Sequence, residues 1–300
     1  MLTASSSEAY AWLIKLLANP GDQILAPRPS YPLFEFLAAL ESVEIRHYPL
    51  VYHEGWFIDF EELRRAITVR TRAIVVVNPN NPTGSYLKRE ELRQLLELCA
   101  ERGLAIISDE VFADYALSED VQCVTTLADS EDDSGDVLTF CLSGLSKVVG
   151  LPQMKLGWML IGGPASLREQ AAERLELIAD TYLSVGTPVQ HALPALLAAK
   201  DGMQRQIMER LRTNLKFLRA AVAGSAIQAL QVEGGWCVIL RVPRIRTEEE
   251  WVTGLLEEQN VLVQPGYFYD FDSEAFLVLS LLTVQEIFEE GVRGIQAFAR

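Results

Sequence analysis

Lys147 stands between two apolar runs, and its amine is the chain's strongest candidate for chemistry. The polar stretch Ser143 to Lys147 follows a predicted buried strand, Val137 to Leu142, and precedes another, Leu156 to Ile161. This order predicts a tight loop at a strand end, where ligands gather in α/β sheets. An ammonium group partly desolvated there has a lowered pKa and becomes a nucleophilic amine that can form a Schiff base. Taken alone, the loop still favours an ordinary loop lysine.

Asp109 is a second candidate, at the end of another predicted strand. The continuous apolar run Leu104 to Ser108 is typical of a parallel strand buried on both faces. A carboxylate at its carboxyl end is costly to bury without a partner. Two roles are open, a helix cap and the partner of a protonated ring nitrogen, and the position alone favours the cap.

A turn rich in Asn and Pro, Asn78-Pro79-Asn80-Asn81-Pro82-Thr83-Gly84, follows the predicted strand Arg72 to Val77. A simple turn needs fewer of these residues, so the density favours a functional role. An Asn side chain held between prolines is a rigid and oriented hydrogen-bond donor.

Two further segments near the start of the chain each have two interpretations. Ser5, Ser6 and Ser7 precede a helical pattern, Glu8 to Leu17, and serines there are ordinary N-caps. The alternative is an anion cradle, because a helix N-terminus offers free amides to a phosphate. Tyr31, in a proline-stiffened segment, either caps the core or stacks on a flat ligand.

Composition limits the class of partner. The 300 residues are 49% hydrophobic with a net charge of -15, which opposes binding to nucleic acid or to an anionic membrane. The first apolar run, Ala9 to Ala18, contains Lys15, is too short to cross a bilayer and lacks the features of a signal peptide. We therefore predict no membrane partner and no targeting segment.

The spacing of the cysteines and histidines bears on disulfide formation and on metal binding. The four cysteines are scattered without paired spacing, which predicts a reduced, cytoplasmic protein. His47, His53 and His191 show no metal-ligand spacing, which predicts that no metal is bound.

The order of predicted elements indicates the architecture. Strands alternate with helices through Lys147, and the acidic stretch Ser118 to Gly135 is predicted as a solvated loop. Long helices follow at Pro164 to Asp180, Pro188 to Lys200 and Asp201 to Val222. We then predict strands at Ile227 to Val232 and Cys237 to Val242, a helix at Thr247 to Gln259, strands at Val261 to Gln264 and Phe276 to Ser280, and a helix at Val284 to Ala299.

This order predicts an α/β fold with two domains. The large domain, residues 1–200, has a mainly parallel sheet covered by helices on both faces. The small C-terminal domain, residues 201–300, is of the α+β type.

Together, the serines, Tyr31, the Asn-Pro-Thr-Gly turn, Asp109 and Lys147 occur in an order that resembles the class I and II aminotransferases, the aspartate aminotransferase-like enzymes that use pyridoxal 5'-phosphate (PLP). The resemblance covers essentially the whole chain. Its most specific parts are Asn81 to Gly84 and Ser146-Lys147.

The resemblance implies a role for each candidate. Lys147 would carry PLP as a Schiff base and move the substrate proton, and Asp109 would bind the ring nitrogen. Asn81 would donate to the phenolic oxygen, and Tyr31 would stack on the ring. The phosphate would be surrounded by Ser5, Ser6, Ser7, Ser146 and Lys155.

Three cofactor positions depart from the family pattern. Lys155 stands where many relatives have Arg, so it keeps the charge without the bidentate fork. Gly144 replaces a phosphate-binding Ser. Phe112 replaces a Tyr that bonds to the phenolic oxygen, which a phenyl ring cannot do.

Two larger departures concern the substrate and the start of the chain. Val278 stands where relatives hold the substrate carboxylate with Arg, so we expect weak binding of simple amino acids unless Arg28 or Arg241 substitutes. The chain also begins almost at the serines, apparently without the N-terminal segment of relatives, which predicts that it binds cofactor more firmly than it catalyses.

The resemblance predicts transfer of an amino group between an amino acid and a 2-oxo acid by a homodimer, with Tyr182 to Pro188 at the interface. There are two alternatives. The chain catalyses another reaction on PLP, such as β-elimination, or it is a catalytically impaired PLP-binding protein.

Overall fold

A computed structural model describes residues 1–118, 122–128 and 135–299, which form two β-sheets with helices packed on them. Residues 119–121 and 129–134 of the predicted acidic loop lie outside the described residues. Residues 122–128 are mostly turn and irregular structure, as predicted, although Leu127 is buried and its amide donates to Oε1 of Glu110 at 2.8 Å. Among the described helices, none is long and apolar enough to cross a membrane.

The larger sheet has eight strands in the order β1-β8-β7-β6-β5-β2-β3-β4. The four pairs between β7 and β3 are parallel, whereas β8 pairs antiparallel with β7 and β1, and β4 with β3. The prediction of a mainly parallel sheet is therefore confirmed. The strands are β1 (Leu2–Thr3), β2 (Gln23–Arg28), β3 (Glu44–Tyr52), β4 (Trp56–Ile58), β5 (Thr71–Val77), β6 (Ala105–Asp109), β7 (Thr139–Gly144) and β8 (Gly157–Gly162).

Helices cover both faces of this sheet because the middle of each central strand is apolar on both faces. In β5, Val75 and Val77 point to one face, where they pack in a core with α1 and α6, while Ile74 and Val76 pack on the other face with α3 and α4. The helices in chain order are α1 (Ser6–Leu17), α2 (Leu33–Leu40), α3 (Phe60–Ala66), α4 (Arg89–Arg102), α5 (Leu145–Val148), α6 (Ala165–Asp180), α7 (Thr187–Ala198), α8 (Lys200–Val222), α9 (Glu248–Gln259) and α10 (Gln285–Phe298).

The smaller sheet is antiparallel in the order β11-β12-β10-β9, and α8, α9 and α10 cover one of its faces. Two of its predicted strands are too long. Ile227, Leu230 and Val232 are buried, yet only Gln228 and Ala229 between them pair as a strand. The prediction was too long because apolar spacing indicates burial and not hydrogen bonds between strands. The strands are β9 (Gln228–Ala229), β10 (Cys237–Arg241), β11 (Gln264–Pro265) and β12 (Phe276–Ser280).

Two local differences bear on the candidate site. Lys147 lies in α5, a single helical turn, rather than in the predicted loop. The unpredicted strand β1 pairs Thr3 with Gly157 of β8, which brings the start of α1 to the end of β7.

Candidate active site

The carboxyl ends of β5, β6 and β7 meet at one edge of the larger sheet. The parallel register pairs Val77 with Asp109 and Asp109 with Leu142, so the three strands end at the same level. The Asn-Pro turn, the carboxylate of Asp109 and the short helix that carries Lys147 all follow directly. The topology therefore brings the predicted residues of these three strands to one edge.

The amine of Lys147 lies between two aromatic rings. Its Nζ is 4.9 Å from the ring centroid of Trp236 and 5.4 Å from that of Phe112. Its carbonyl oxygen accepts a hydrogen bond from the hydroxyl of Tyr115. Burial lowers the pKa of Lys147, although Cys237 and the carboxylate of Asp109 act in the opposite direction. The amine is thus shifted toward its neutral, nucleophilic form.

The carboxylate of Asp109 is half-buried and held from both sides. Oδ2 accepts a hydrogen bond from the hydroxyl of Tyr10 at 3.1 Å, and Oδ1 accepts one from the amide of Val111 at 3.2 Å. Burial raises the pKa of Asp109 to about 6, and these two hydrogen bonds oppose that rise. Residues 111–114 form turns, so the alternative of a helix cap is wrong.

The asparagine side chains of the Asn-rich turn differ in their hydrogen bonding. Asn78 accepts from the amide of Leu87 at 2.9 Å and donates to the carbonyl of Val124 at 2.7 Å. Oδ1 of Asn80 accepts from the hydroxyl and amide of Thr83. Asn81 is half-buried, and its side chain makes no hydrogen bond with the described residues. Nδ2 of Asn80 also has no partner among the described residues, but Asn80 is buried, so Asn81 is the more accessible amide for a ligand.

The predicted serine cradle is the N-terminus of α1. Ser5 is the N-cap, and its Oγ accepts from the amide of Glu8 at 3.2 Å, so the ordinary cap predicted there is present. The amides of Ser6 and Ser7, the first two of this 12-residue helix, have no acceptor among the described residues. Cap and anion cradle are compatible, since they use different donors.

The neighbouring glycines explain one departure from the family pattern. A Cβ on Gly144 would lie 2.9 Å from Cα of Gly157, its partner in β8, so a serine does not fit there without a shift of backbone. Lys155, two residues before Gly157, is exposed, and Ser146 of α5 is half-buried. Neither side chain makes a hydrogen bond with the described residues.

Tyr31 follows the carboxyl end of β2 at the same edge of the sheet. Its side chain is 49% exposed, and it makes no ring contact with the described residues. The amide of Ser30 donates to the carbonyl of Tyr269 at 3.0 Å, which fixes the backbone just before the ring. A face of the phenol ring is thus accessible to a flat ligand.

The three residues considered for binding the substrate carboxylate make other contacts in the structure. Val278 is 3% exposed in a cluster with Trp56 and Ile239. Arg28 donates from Nε to the carbonyl of Asp270 at 2.6 Å and forms an ion pair with Asp272. A separate arginine, Arg241, lies over the rings of Tyr52 and Phe276.

Sequence reasoning missed Tyr10 and Trp236. Tyr10 is three residues after Ser7 and therefore lies on a neighbouring part of the same helix face, a spacing that was available as a signal. Trp236 follows Gly234 and Gly235. A Cβ on Gly234 would lie 2.5 Å from the ring of Tyr86, so only glycine allows the backbone to pass this close to Tyr86 just before Trp236.

Comparisons with known proteins identify the family of this chain. The sequence model of the family described as Aminotransferase class I and II matches residues 1–289. Glutamate-pyruvate aminotransferase AlaA of Escherichia coli K12 is 35% identical over 203 residues, which are 67% of this chain and 48% of that protein. The Haemophilus influenzae protein of the same name is 27% identical over 97% of this chain and 73% of its own length.

Solved structures agree on the fold. An alanine aminotransferase from Pyrococcus furiosus superposes with a TM-score of 0.90 at 26% identity, over 99% of this chain and 75% of the other. A tyrosine aminotransferase from Leishmania infantum, at 23% identity, shares the fold with a TM-score of 0.88, over 100% of this chain and 74% of the other. The chain spans about half the length of the Escherichia coli relative that it matches. Because the family match covers residues 1–289, the chain belongs to the class I and II aminotransferases.

Proposed function

We propose that this chain transfers an amino group between an amino acid and a 2-oxo acid with PLP as its cofactor. Membership of a family of PLP-dependent enzymes supports the reaction class. The observation that carries the proposal is the amine of Lys147, which lies at the ends of the parallel strands between two rings and has a lowered pKa.

The donor set fits PLP group by group. An amine suits the aldehyde, a carboxylate suits the protonated ring nitrogen, and a helix N-terminus suits the phosphate. Several of these donors have no partner among the described residues, and they include the side-chain amide of Asn81 and the backbone amides of Ser6 and Ser7. These are the groups that the phenolic oxygen and the phosphate would satisfy.

Lys147 acts as both nucleophile and base. Bound PLP supplies an aldehyde that condenses with amines and a ring that accepts the electron pair released at the substrate α-carbon. Nζ of Lys147, when neutral, takes the proton from that carbon and returns it during transfer. Burial lowers the pKa of Lys147, which increases the share of the neutral amine.

Asp109 holds a positive charge in place. With a pKa of about 6, its carboxylate is mostly ionised at neutral pH, so it stabilises a protonated ring nitrogen. The hydroxyl of Tyr10 orients Oδ2. Because α1 also supplies the amides of Ser6 and Ser7, the same helix sets the position of two groups of the cofactor.

The phosphate is held by local donors in an acidic protein. The net charge of -15 repels anions, so a phosphate needs nearby amides, hydroxyls and a cation. We assign these roles to the side chains or amides of Ser5, Ser6, Ser7, Ser146 and Lys155. Tyr31 covers a face of the ring, and its exposure supports this role.

We further propose that the chain divides into a large domain, residues 1–200, and a small one, residues 201–300. Their separate sheets support this division. We propose a homodimer with Tyr182 to Pro188 at the interface, supported by Leu183, which is 91% exposed. The scattered cysteines support a cytoplasmic location.

A half-reaction tests the proposal. The PLP-loaded protein is mixed with glutamate, suggested by the names of the relatives, and the 2-oxo acid formed is measured, with pyruvate added in a second step. We expect stoichiometric 2-oxo acid in the first step, alanine in the second, and neither product from Lys147→Ala. Lys200→Ala serves as a control lysine because its partner is the surface carboxylate of Asp114. Absence of 2-oxo acid from glutamate, or release of ammonia with no amino group transferred to pyruvate, would contradict the proposal.

A further inference from the structure

Three metal-ligand side chains converge from separate elements beside Tyr31. Glu35 comes from α2, His47 from β3 and Asp270 from the turn after the 3-10 helix Gly266–Tyr269. Their ligand atoms all lie within 4.8 Å of one another, and Nε2 of His47 is 3.0 Å from Oε1 of Glu35. Each residue is isolated in the sequence, so spacing along the chain gave no sign of the cluster.

The cluster lines a small cavity that contains an unsatisfied hydroxyl. The cavity has a volume of about 10 Å³, roughly enough for one water, and Ser30 and Tyr31 line it together with the three ligand residues. Ser30 is 5% exposed, and its Oγ has no hydrogen-bond partner among the described residues. Buried hydroxyl groups are rarely left without a partner. The unpartnered Oγ is a donor and acceptor that a group bound at this cavity would satisfy.

We propose that Glu35, His47 and Asp270 bind one divalent transition-metal cation, with Zn²⁺ as the best match to the ligand set. Zn²⁺ takes imidazole nitrogen and carboxylate oxygen in a four-coordinate shell, and an open site keeps a water as the fourth ligand. Three protein ligands leave that position free, and Ser30 Oγ holds the water. The two carboxylates neutralise the charge of the ion.

The bound ion ties the small sheet to the large one. Asp270 lies between β11 and β12, and its carbonyl already accepts a hydrogen bond from Arg28 at the end of β2. The ion adds bonds from the same residue to α2 and β3. Ion binding stands independently of the proposed reaction, whereas its influence on ring stacking by Tyr31 rests on the proposed function.

Direct titration with Zn²⁺ tests the site. The PLP-loaded protein, freed of excess cofactor, is titrated by calorimetry, and the metal content is measured after dialysis. We expect one ion per chain, with at least about 100-fold weaker binding in His47→Gln and Asp270→Asn, since even outer-shell changes cost 10- to 100-fold. We expect Ser30→Ala to weaken binding by about tenfold. His53→Gln, which changes an exposed histidine outside the cluster, should bind as the wild type does.

Two further measurements control for misfolding of a variant and for binding of the metal by cysteine thiols. Glu35 is 58% exposed, so Glu35→Gln should fold normally and still bind at least about 100-fold more weakly. Co²⁺ in place of Zn²⁺ should give visible bands without thiolate charge transfer, because no cysteine belongs to the cluster. Absence of stoichiometric binding, or wild-type affinity in His47→Gln and Glu35→Gln, would reduce the cluster to a hydrogen-bonded trio and overturn the proposal. Amino transfer would stand in either case.

Discussion

The hydroxyl of Tyr10 donates a hydrogen bond of 3.1 Å to Oδ2 of Asp109, although 99 residues separate them in the chain. Tyr10 lies on α1, whose first amides form the candidate phosphate cradle. One rigid helix therefore orients the carboxylate and offers the amides. The packing of α1 on the sheet therefore sets the distance between this carboxylate and these amides.

Loss of this hydroxyl should weaken cofactor binding. A hydrogen bond to a charged group contributes about 1.5 to 3 kcal/mol, so Tyr10→Phe should raise the dissociation constant of PLP by about tenfold or more. The bond also lowers the pKa of Asp109, so the pH below which PLP fails to bind should move upward. Fluorescence titration with PLP at several pH values measures both effects.

Tyr48→Phe is the matched control for that experiment. Its hydroxyl donates to the carbonyl of Val75 at 2.8 Å inside the core, so this variant loses a buried hydrogen bond without altering the site. Equal PLP affinities in the two variants would mean that Tyr10 contributes only to stability.

The stability of the cofactor-free protein should reflect the pKa of Asp109. Its folded-state pKa of about 6 lies above the ordinary value of 3.8, so the carboxyl favours folding when protonated. That contribution is complete below about pH 4 and is lost as the pH rises through 6. Asp109→Asn should therefore gain stability relative to the wild type with rising pH, by on the order of 2 kcal/mol at pH 7. Urea unfolding from pH 5 to 8 measures this difference, and a difference that shrinks with pH would contradict the assignment.

Substitution of Asp109 should lower the activity more than substitution of Asn81. Asp109→Ala removes the charge that keeps the ring protonated, whereas Asn81→Ala removes one hydrogen bond, worth roughly 0.5 to 3 kcal/mol. We expect a much larger loss of kcat/KM in Asp109→Ala, measured with each variant at saturating PLP. Comparable losses would indicate that Asp109 acts only through its local hydrogen bonds.

Position 278 should tolerate a charge poorly. Val278 is buried among apolar side chains, so Val278→Arg leaves an unpaired charge there and should lower the free energy of unfolding by about 3 kcal/mol or more. Val69→Arg, at a valine that is 93% exposed, controls for the substitution itself. A stable Val278→Arg protein with a lower KM for amino acids would show that the position faces the substrate.

The sequence predicted the parts of the fold that depend on burial. The apolar runs that became β5, β6 and β7 were found because both faces of these strands are covered. The short strands β1 and β4 were missed, since pairing of two or three residues leaves no periodic pattern.

The candidate site residues likewise fall into those that the sequence could predict and those that it could not. Lys147, Asp109 and Asn81 were predictable because each follows a strand. Tyr10 and Trp236 were not predicted, because they reach the site through packing between distant segments. His47 was judged from spacing among the histidines alone, which carries no information about carboxylates on other elements.

Reduction with borohydride tests most directly the claim that Lys147 carries the cofactor. The protein is incubated with PLP, reduced and digested, and the modified lysine is located by mass spectrometry. We predict that the cofactor mass is found on Lys147 and is absent from the same peptide of Lys147→Ala. Cofactor mass on Lys155 instead, or undiminished labelling of Lys147→Ala, would contradict the assignment.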